Sequence, residues 1–177
     1  HSTYRPVAVY ASDVNGDGIT ELPRAVLMAG YKDTSSSDAV YMLDWYAYGI
    51  GKVPTKVATT YQNISDAWSL LIDQKWHDRI TAIKANDGGL SYVEFFEYRK
   101  NKMSIPLFNS SDLFNIYCAT GSNREYYAER TDLIQLGQTT QAIYFAKLTN
   151  EGEQSELALT GDEIKARFSL VNQAWNN

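Results

Sequence analysis

The sequence predicts an α+β protein: an N-terminal antiparallel β-meander, then an antiparallel sheet with about two helices packed on it. Three observations lead there. Short runs rich in Tyr, Phe, Trp and β-branched residues recur between Gly, Asn, Asp and Ser clusters, and aromatic residues reach 13% of the chain, a composition that suits a pleated surface. The run Asn86-Asp87-Gly88-Gly89 joins two such segments and is the strongest hairpin signal. Helical patterns are confined to two places, each opened by a capping box: Ser122 with Glu125, and Thr160 with Glu163.

In chain order, residues 6–11 read as a short strand with Val7 and Val9 on one face, and an acidic loop follows. Residues 22–31 read as a second strand, the serine-rich run 32–38 as a loop, and residues 39–48 as an aromatic third strand. Gly49 and Gly51 mark a turn, and residues 54–61 return as a fourth strand. This meander has the size of one propeller blade, so the expected division is a blade-like unit over 1–62 and an α+β sheet domain over 63–177. In the second unit, Trp68, Leu70 and Ile72 alternate with Ser69, Leu71 and Asp73 as a strand with one apolar face. Residues 74–78 read as a turn or a single helical turn, 79–85 and 90–99 as hairpin partners, and 101–111 as a connection. Strands are expected over 113–119, 133–136 and 141–148, a helix over 122–130, and a loop over 150–155. From Thr160 onward, Ile164, Phe168, Val171 and Trp175 fall at helical spacing and predict one closing helix packed on the sheet.

Composition excludes several classes. The 177 residues carry a net charge of −5 with no basic block, which argues against a nucleic-acid partner. No apolar run approaches the ~20 residues needed to span a bilayer. The single cysteine, Cys118, sits in a strand-like apolar run and reads as a buried free thiol. The chain opens with His1 and shows no signal peptide, which reads as a processed or trimmed product lacking a leader or an upstream domain.

The sharpest chemical signal is DVNGDGITE, residues 13–21. Side-chain oxygens stand at loop positions one, three, five and nine (Asp13, Asn15, Asp17, Glu21), and the Ile19 carbonyl is available at seven. Gly16 and Gly18 permit the positive φ that curls a backbone around an ion. Alternating oxygen ligands of this kind suit a hard divalent cation, Ca²⁺ above all. An EF-hand is excluded, because it needs a bidentate Glu at position twelve, where this chain has Arg24, and helices where this chain has strands.

These residues resemble the FG-GAP or VCBS repeat of extracellular β-propellers, in which a DxNxDGxxE-like loop links adjacent strands of a blade. The resemblance implies a structural calcium held by Asp13, Asn15, Asp17, the Ile19 backbone and Glu21, and it covers about residues 7–31. A propeller needs several blades, whereas this chain has the pattern once. From Trp68 onward the runs 68–76 and 113–125 and the closing helix are similar to C-terminal modules of uncharacterised exported Firmicutes proteins, and the strand order also looks like the PsbP-like fold. Those likenesses imply an exported context and no activity.

No catalytic constellation is legible. The only internal histidine is His77, and no GxSxG, HExxH, CxxC or phosphate-binding loop occurs. Glu94 could serve a carboxylate-pair hydrolase only with an acidic partner that the sequence does not place. Trp45, Tyr46 and Tyr48, or Tyr126 and Tyr127, could stack on sugar rings. The expected function is therefore a non-enzymatic, calcium-braced module of the cell envelope or exterior. It would contact a protein partner or missing upstream blades. The alternatives are a carbohydrate-binding accessory module and a hydrolase with an unrecognised carboxylate site.

Overall fold

The computed structural model describes residues 6–31, 39–88, 90–98 and 112–171. The expectation of an α+β fold is not met. Among the described residues strands take 47% and helices 14%, and the protein is close to all-β, built from two five-stranded antiparallel sheets. The strands are β1 (Leu22–Leu27), β2 (Tyr41–Ala47), β3 (Thr55–Asn63), β4 (Trp68–Leu71), β5 (Ile80–Asp87), β6 (Leu90–Glu97), β7 (Asp112–Thr120), β8 (Ile134–Gln138), β9 (Ala142–Leu148) and β10 (Phe168–Leu170). The first sheet has the order β1-β2-β3-β4-β10, and the second β5-β6-β7-β9-β8. Three short α-helices, α1 (Ser122–Ala128), α2 (Asn150–Glu153) and α3 (Gly161–Arg167), and a single 3₁₀ turn at Gln74–Trp76, capped by Asp73, complete the described elements.

A single core lies between the sheets. A chain of aromatic contacts crosses it: in the first sheet Phe168 packs on Trp68 and Trp68 on Tyr61, Tyr61 packs edge-on against Phe95 at 5.3 Å, and Phe95 stacks on Phe114 at 4.8 Å. Trp76 extends the chain beyond Phe114 and donates its indole N–H to the Leu157 carbonyl at 3.0 Å. Met28, Met42 and Tyr61 join the same core as residues from 68 onward, and β3 pairs with β4 across the position where the sequence suggested a unit boundary. Burial keeps the Cys118 side chain a thiol, with its pKa pushed up to about 11.

Several local expectations need correction. The segment expected as a strand over 6–11 is not one, and only an isolated antiparallel bridge, Ser12 with Glu21, forms there. Gly121, at φ 57°, rather than Ser122, stands at the N-cap of α1, without a side-chain cap bond. Residues 150–153, expected as loop, form a helical turn because Thr149 Oγ1 accepts from the Gly152 N–H at 2.9 Å. The closing helix does begin at the Thr160–Glu163 capping box, with both reciprocal bonds present. It stops at Arg167, however. Phe168 turns to an extended conformation (ψ 138°), and residues 168–170 pair with β4 as an edge strand. Strand pairing buries Phe168 against Trp68 and Tyr144. Trp175 lies outside the described residues.

Candidate metal centre

The loop over residues 13–21 folds around its own carboxylates. Asp13 is the hub: its Oδ1 accepts from the Gly16 N–H (2.8 Å) and the Asp17 N–H (3.2 Å), and its Oδ2 from the Gly18 N–H (2.8 Å). The Gly18 bond does most to hold the Asp13 carboxyl below the ordinary Asp range, and the side chain stays charged across the physiological span. Asp17 Oδ1 accepts from the Ile19 N–H at 2.8 Å, while Asn15 bridges to Asp17 through side chain and backbone. Gly16 and Gly18 take φ of 76° and 84°, which a side chain there would strain.

Glu21 differs from the rest. The bridge to Ser12, with N–H···O distances of 3.1 and 2.9 Å, closes the loop at its base and carries the Glu21 side chain inward. Its relative exposure is 0%, against the exposed Asp13 and Asp17. One carboxylate oxygen, Oε2, accepts from the Val14 N–H at 3.0 Å, and the other, Oε1, is buried without any hydrogen-bond partner. A buried carboxylate oxygen with no partner is unfavourable by an amount no native fold leaves uncompensated without reason. Asp13, Asp17 and Glu21 each bring one carboxylate oxygen to within 4.8 Å of the others, the separation a shared ion requires. The orphaned oxygen and the all-oxygen donor set together fit Ca²⁺. Asn15 stands in the same loop, and the Ile19 side chain is 51% exposed.

The strap that carries this loop lies along the outer face of the first sheet. Residues 9–14 share a cleft of about 600 Å³ with Trp45, Thr60, Leu71 and Arg167. Trp45 is fully buried on the face turned away from the shared core, and its indole N–H donates to Thr60 Oγ1 at 2.8 Å. It is therefore the floor beneath the strap and no sugar platform. On the outer side of the second sheet the rings form a ladder. Tyr92, Tyr117, Phe145 and Tyr127 stack in that order at 5.1–5.3 Å, and Tyr126 meets Tyr127 edge-on. Tyr46 is half-buried, and Tyr48 and Tyr126 are exposed.

Sequence reasoning found no acidic neighbour for Glu94, and the structure supplies one. Glu94 lies opposite Asn115 on β7, and Asp112 stands at the start of that strand, across from Phe96. With its amide oriented to suit its neighbours, Asn115 donates to Asp112 Oδ1 (3.2 Å) and to the Phe114 carbonyl (3.0 Å). Burial, and then the charge of Glu94, push the Asp112 carboxyl up to about 6, and burial also raises Glu94. The spacing of 18 residues across an intervening connection left no local signal for this pair. A carboxyl raised in the folded state binds its proton more tightly there than in the unfolded chain, so stability falls as pH climbs from 3.8 to about 6. Asp112→Asn is expected to flatten that slope and to raise stability at neutral pH by about 1 kcal/mol, after discounting for the group's partial exposure. Urea melts of both proteins at pH 4 and pH 7 check this, and equal slopes would refute it.

His77 is a poor base candidate: its Nδ1 lies 3.4 Å from the exposed Asp78 carboxylate, and its Nε2 is buried with no hydrogen-bond partner. Asn63, in one sequon, is buried and donates to Asp66 Oδ2 at 2.7 Å, so it is closed to modification; Asn109, in the other, lies outside the described residues. Among the described residues, no helix is long and apolar enough to cross a membrane. In comparison with known proteins, no family model, no curated protein and no solved structure matches the chain.

Proposed function

We propose that this protein is a calcium-braced binding module that works at the cell envelope or exterior and carries out no catalysis. The carrying observation is the buried, unpartnered Oε1 of Glu21 beside the exposed Asp13 and Asp17. The FG-GAP-like ligand spacing supports the same ion. Calcium would neutralise three converging carboxylates and so fix the strap over Trp45, which makes it a brace rather than a switch. Weak extracellular sites of this kind bind with a Kd of about 10⁻⁴–10⁻³ M. At about 2 mM Ca²⁺ and a Kd of about 10⁻⁴ M, linkage adds roughly 1.8 kcal/mol to stability. That affinity suits a calcium-rich exterior and is too weak for a cytosolic sensor.

The expected result is a melting temperature that rises with millimolar Ca²⁺ in wild type and stays level in Asp17→Ala. Magnesium should do little, because its smaller shell demands near-octahedral geometry and gives up water reluctantly. An equal calcium response in both proteins would remove the loop from the account.

A further inference from the structure

A second cavity, of about 550 Å³, opens where residues 6–8 meet both sheets, and no residue of the loop over 13–21 lines it. Its walls are apolar at Val7, Val40 and Ile64 and polar at Tyr31, Tyr61 and Lys84. Sites for small organic ligands have this size and make-up, mostly apolar with a few convergent polar groups.

Tyr61 is the unusual member. Its ring packs on Trp68 and Phe95, the residue is 1% exposed, and its hydroxyl has no hydrogen-bond partner. Burying a hydroxyl unpaired costs stability, and native folds seldom do it. The ionisable groups that reach this hydroxyl are Tyr31 and Asp66. Tyr31 spends its proton on the Ala82 carbonyl at 2.7 Å, and Asp66 Oδ2 accepts from Asn63 Nδ2 and Ser91 Oγ at 2.7 and 2.6 Å. Ala82 and Lys84 face the same side of β5, which brings the Lys84 ammonium to the same wall. Among the described residues Asp66 is the acid whose charge reaches Lys84, without a direct ion pair. Gln62 also lines the cavity with its Oε1 unpartnered, but alternation along β3 sends its side chain to the opposite face, with Thr60. The wall that Tyr61 and Lys84 share therefore offers two hydrogen-bond donors. A carboxylate supplies acceptor oxygens for both and a charge opposite to that of Lys84. The apolar walls suit a hydrocarbon body behind it.

We infer that this cavity is a binding site for a small monocarboxylate with an apolar body, its carboxylate accepting from the Tyr61 hydroxyl and the Lys84 ammonium. The inference goes beyond the calcium reading and does not rest on it. The test is calorimetric titration of the whole chain, at one fixed calcium concentration, with 3-phenylpropanoate and with 3-phenylpropan-1-ol. The two probes share a body and differ in the charged end. Wild type should bind one 3-phenylpropanoate per chain, and the alcohol at least about tenfold more weakly. Tyr61→Phe keeps the ring packing and removes the open hydroxyl. It should weaken 3-phenylpropanoate binding about tenfold without lowering the melting temperature. Lys84→Met should weaken the acid about tenfold and leave the alcohol unchanged. Wild type that binds neither probe overturns the inference, as does undiminished binding of the acid by either variant. A lower melting temperature for Tyr61→Phe also overturns it, because the hydroxyl would then have a partner within the fold. Alcohol bound as tightly as acid overturns it in favour of a neutral occupant.

Discussion

Trp45→Ala is expected to lower the stability of the protein by about 3–5 kcal/mol, the usual range for removing a fully buried Trp or Phe. Trp45 is 0% exposed although it sits on the outer face of the first sheet, away from the core that the two sheets share. Its burial comes from the strap over residues 9–14, which lines the same cleft. Truncation leaves a void under the strap and strands the Thr60 hydroxyl that the indole had engaged. Urea unfolding measures the loss directly. Tyr48→Ala, at an exposed position just past the end of β2, should stay within about 0.5 kcal/mol of wild type. If Trp45 were a ligand platform on a free surface, its removal would be as harmless as that of Tyr48, and such a result would dismantle the assignment of the strap.

Gly152→Ala should be nearly as damaging, and with a sign opposite to the helix-propensity rule. Alanine in place of glycine inside an exposed helix normally stabilises by about 1 kcal/mol. Gly152 lies in α2, but a Cβ built there would stand 2.0 Å from the Leu113 carbonyl oxygen and 2.6 Å from its carbon. Both are backbone atoms of β7, and Thr149 Oγ1, which caps α2, also donates to the Asp112 and Leu113 carbonyls. The helical turn is thus clamped to the central strand from two sides and cannot slide outward cheaply. Overpacking of this kind costs about 1–3 kcal/mol, and more when backbone must move. Gly51→Ala offers the contrast: nothing lies within 4 Å of the added methyl, and only the positive φ of 70° opposes it. A denaturant midpoint for Gly152→Ala at or above that of wild type would contradict the close approach of α2 to β7.

How much of this was open to sequence reasoning depends on whether the governing interaction is local. Strand periodicity around Trp68, the hairpin at Gly88 and the Thr160–Glu163 capping box are local, and the structure keeps them. The end of α3 is not local. Phe168 suits a helix stripe and a strand face equally, and the choice is made by β4, about a hundred residues earlier in the chain. The fold class failed for the same reason: with β10 counted as helix, the first sheet loses an edge strand and the second seems to carry the helices. α2 escaped notice because NEGE has no apolar spacing and its cap, Thr149, follows directly on the preceding strand. At the site, the ligand types and their spacing were legible from residues 13–21. That Glu21 would be the buried member, and Trp45 the floor, was not, since both depend on where the strap lands. Glu94 and Asp112 meet only through the pairing of β6 with β7.

The central claim is that Glu21 is the inward ligand of a calcium site, and a calorimetric calcium titration of wild type beside Glu21→Gln tests it most directly. The substitution keeps the shape and an oxygen for the Val14 N–H while removing one of three converging charges. Wild type should bind one Ca²⁺ with a Kd of about 10⁻⁴–10⁻³ M, and Glu21→Gln should give no binding heat. In chelator the variant should melt no lower than wild type, because an unoccupied cluster is relieved by the loss of a like charge. Absence of calcium binding by wild type, or undiminished binding by Glu21→Gln, would contradict the account.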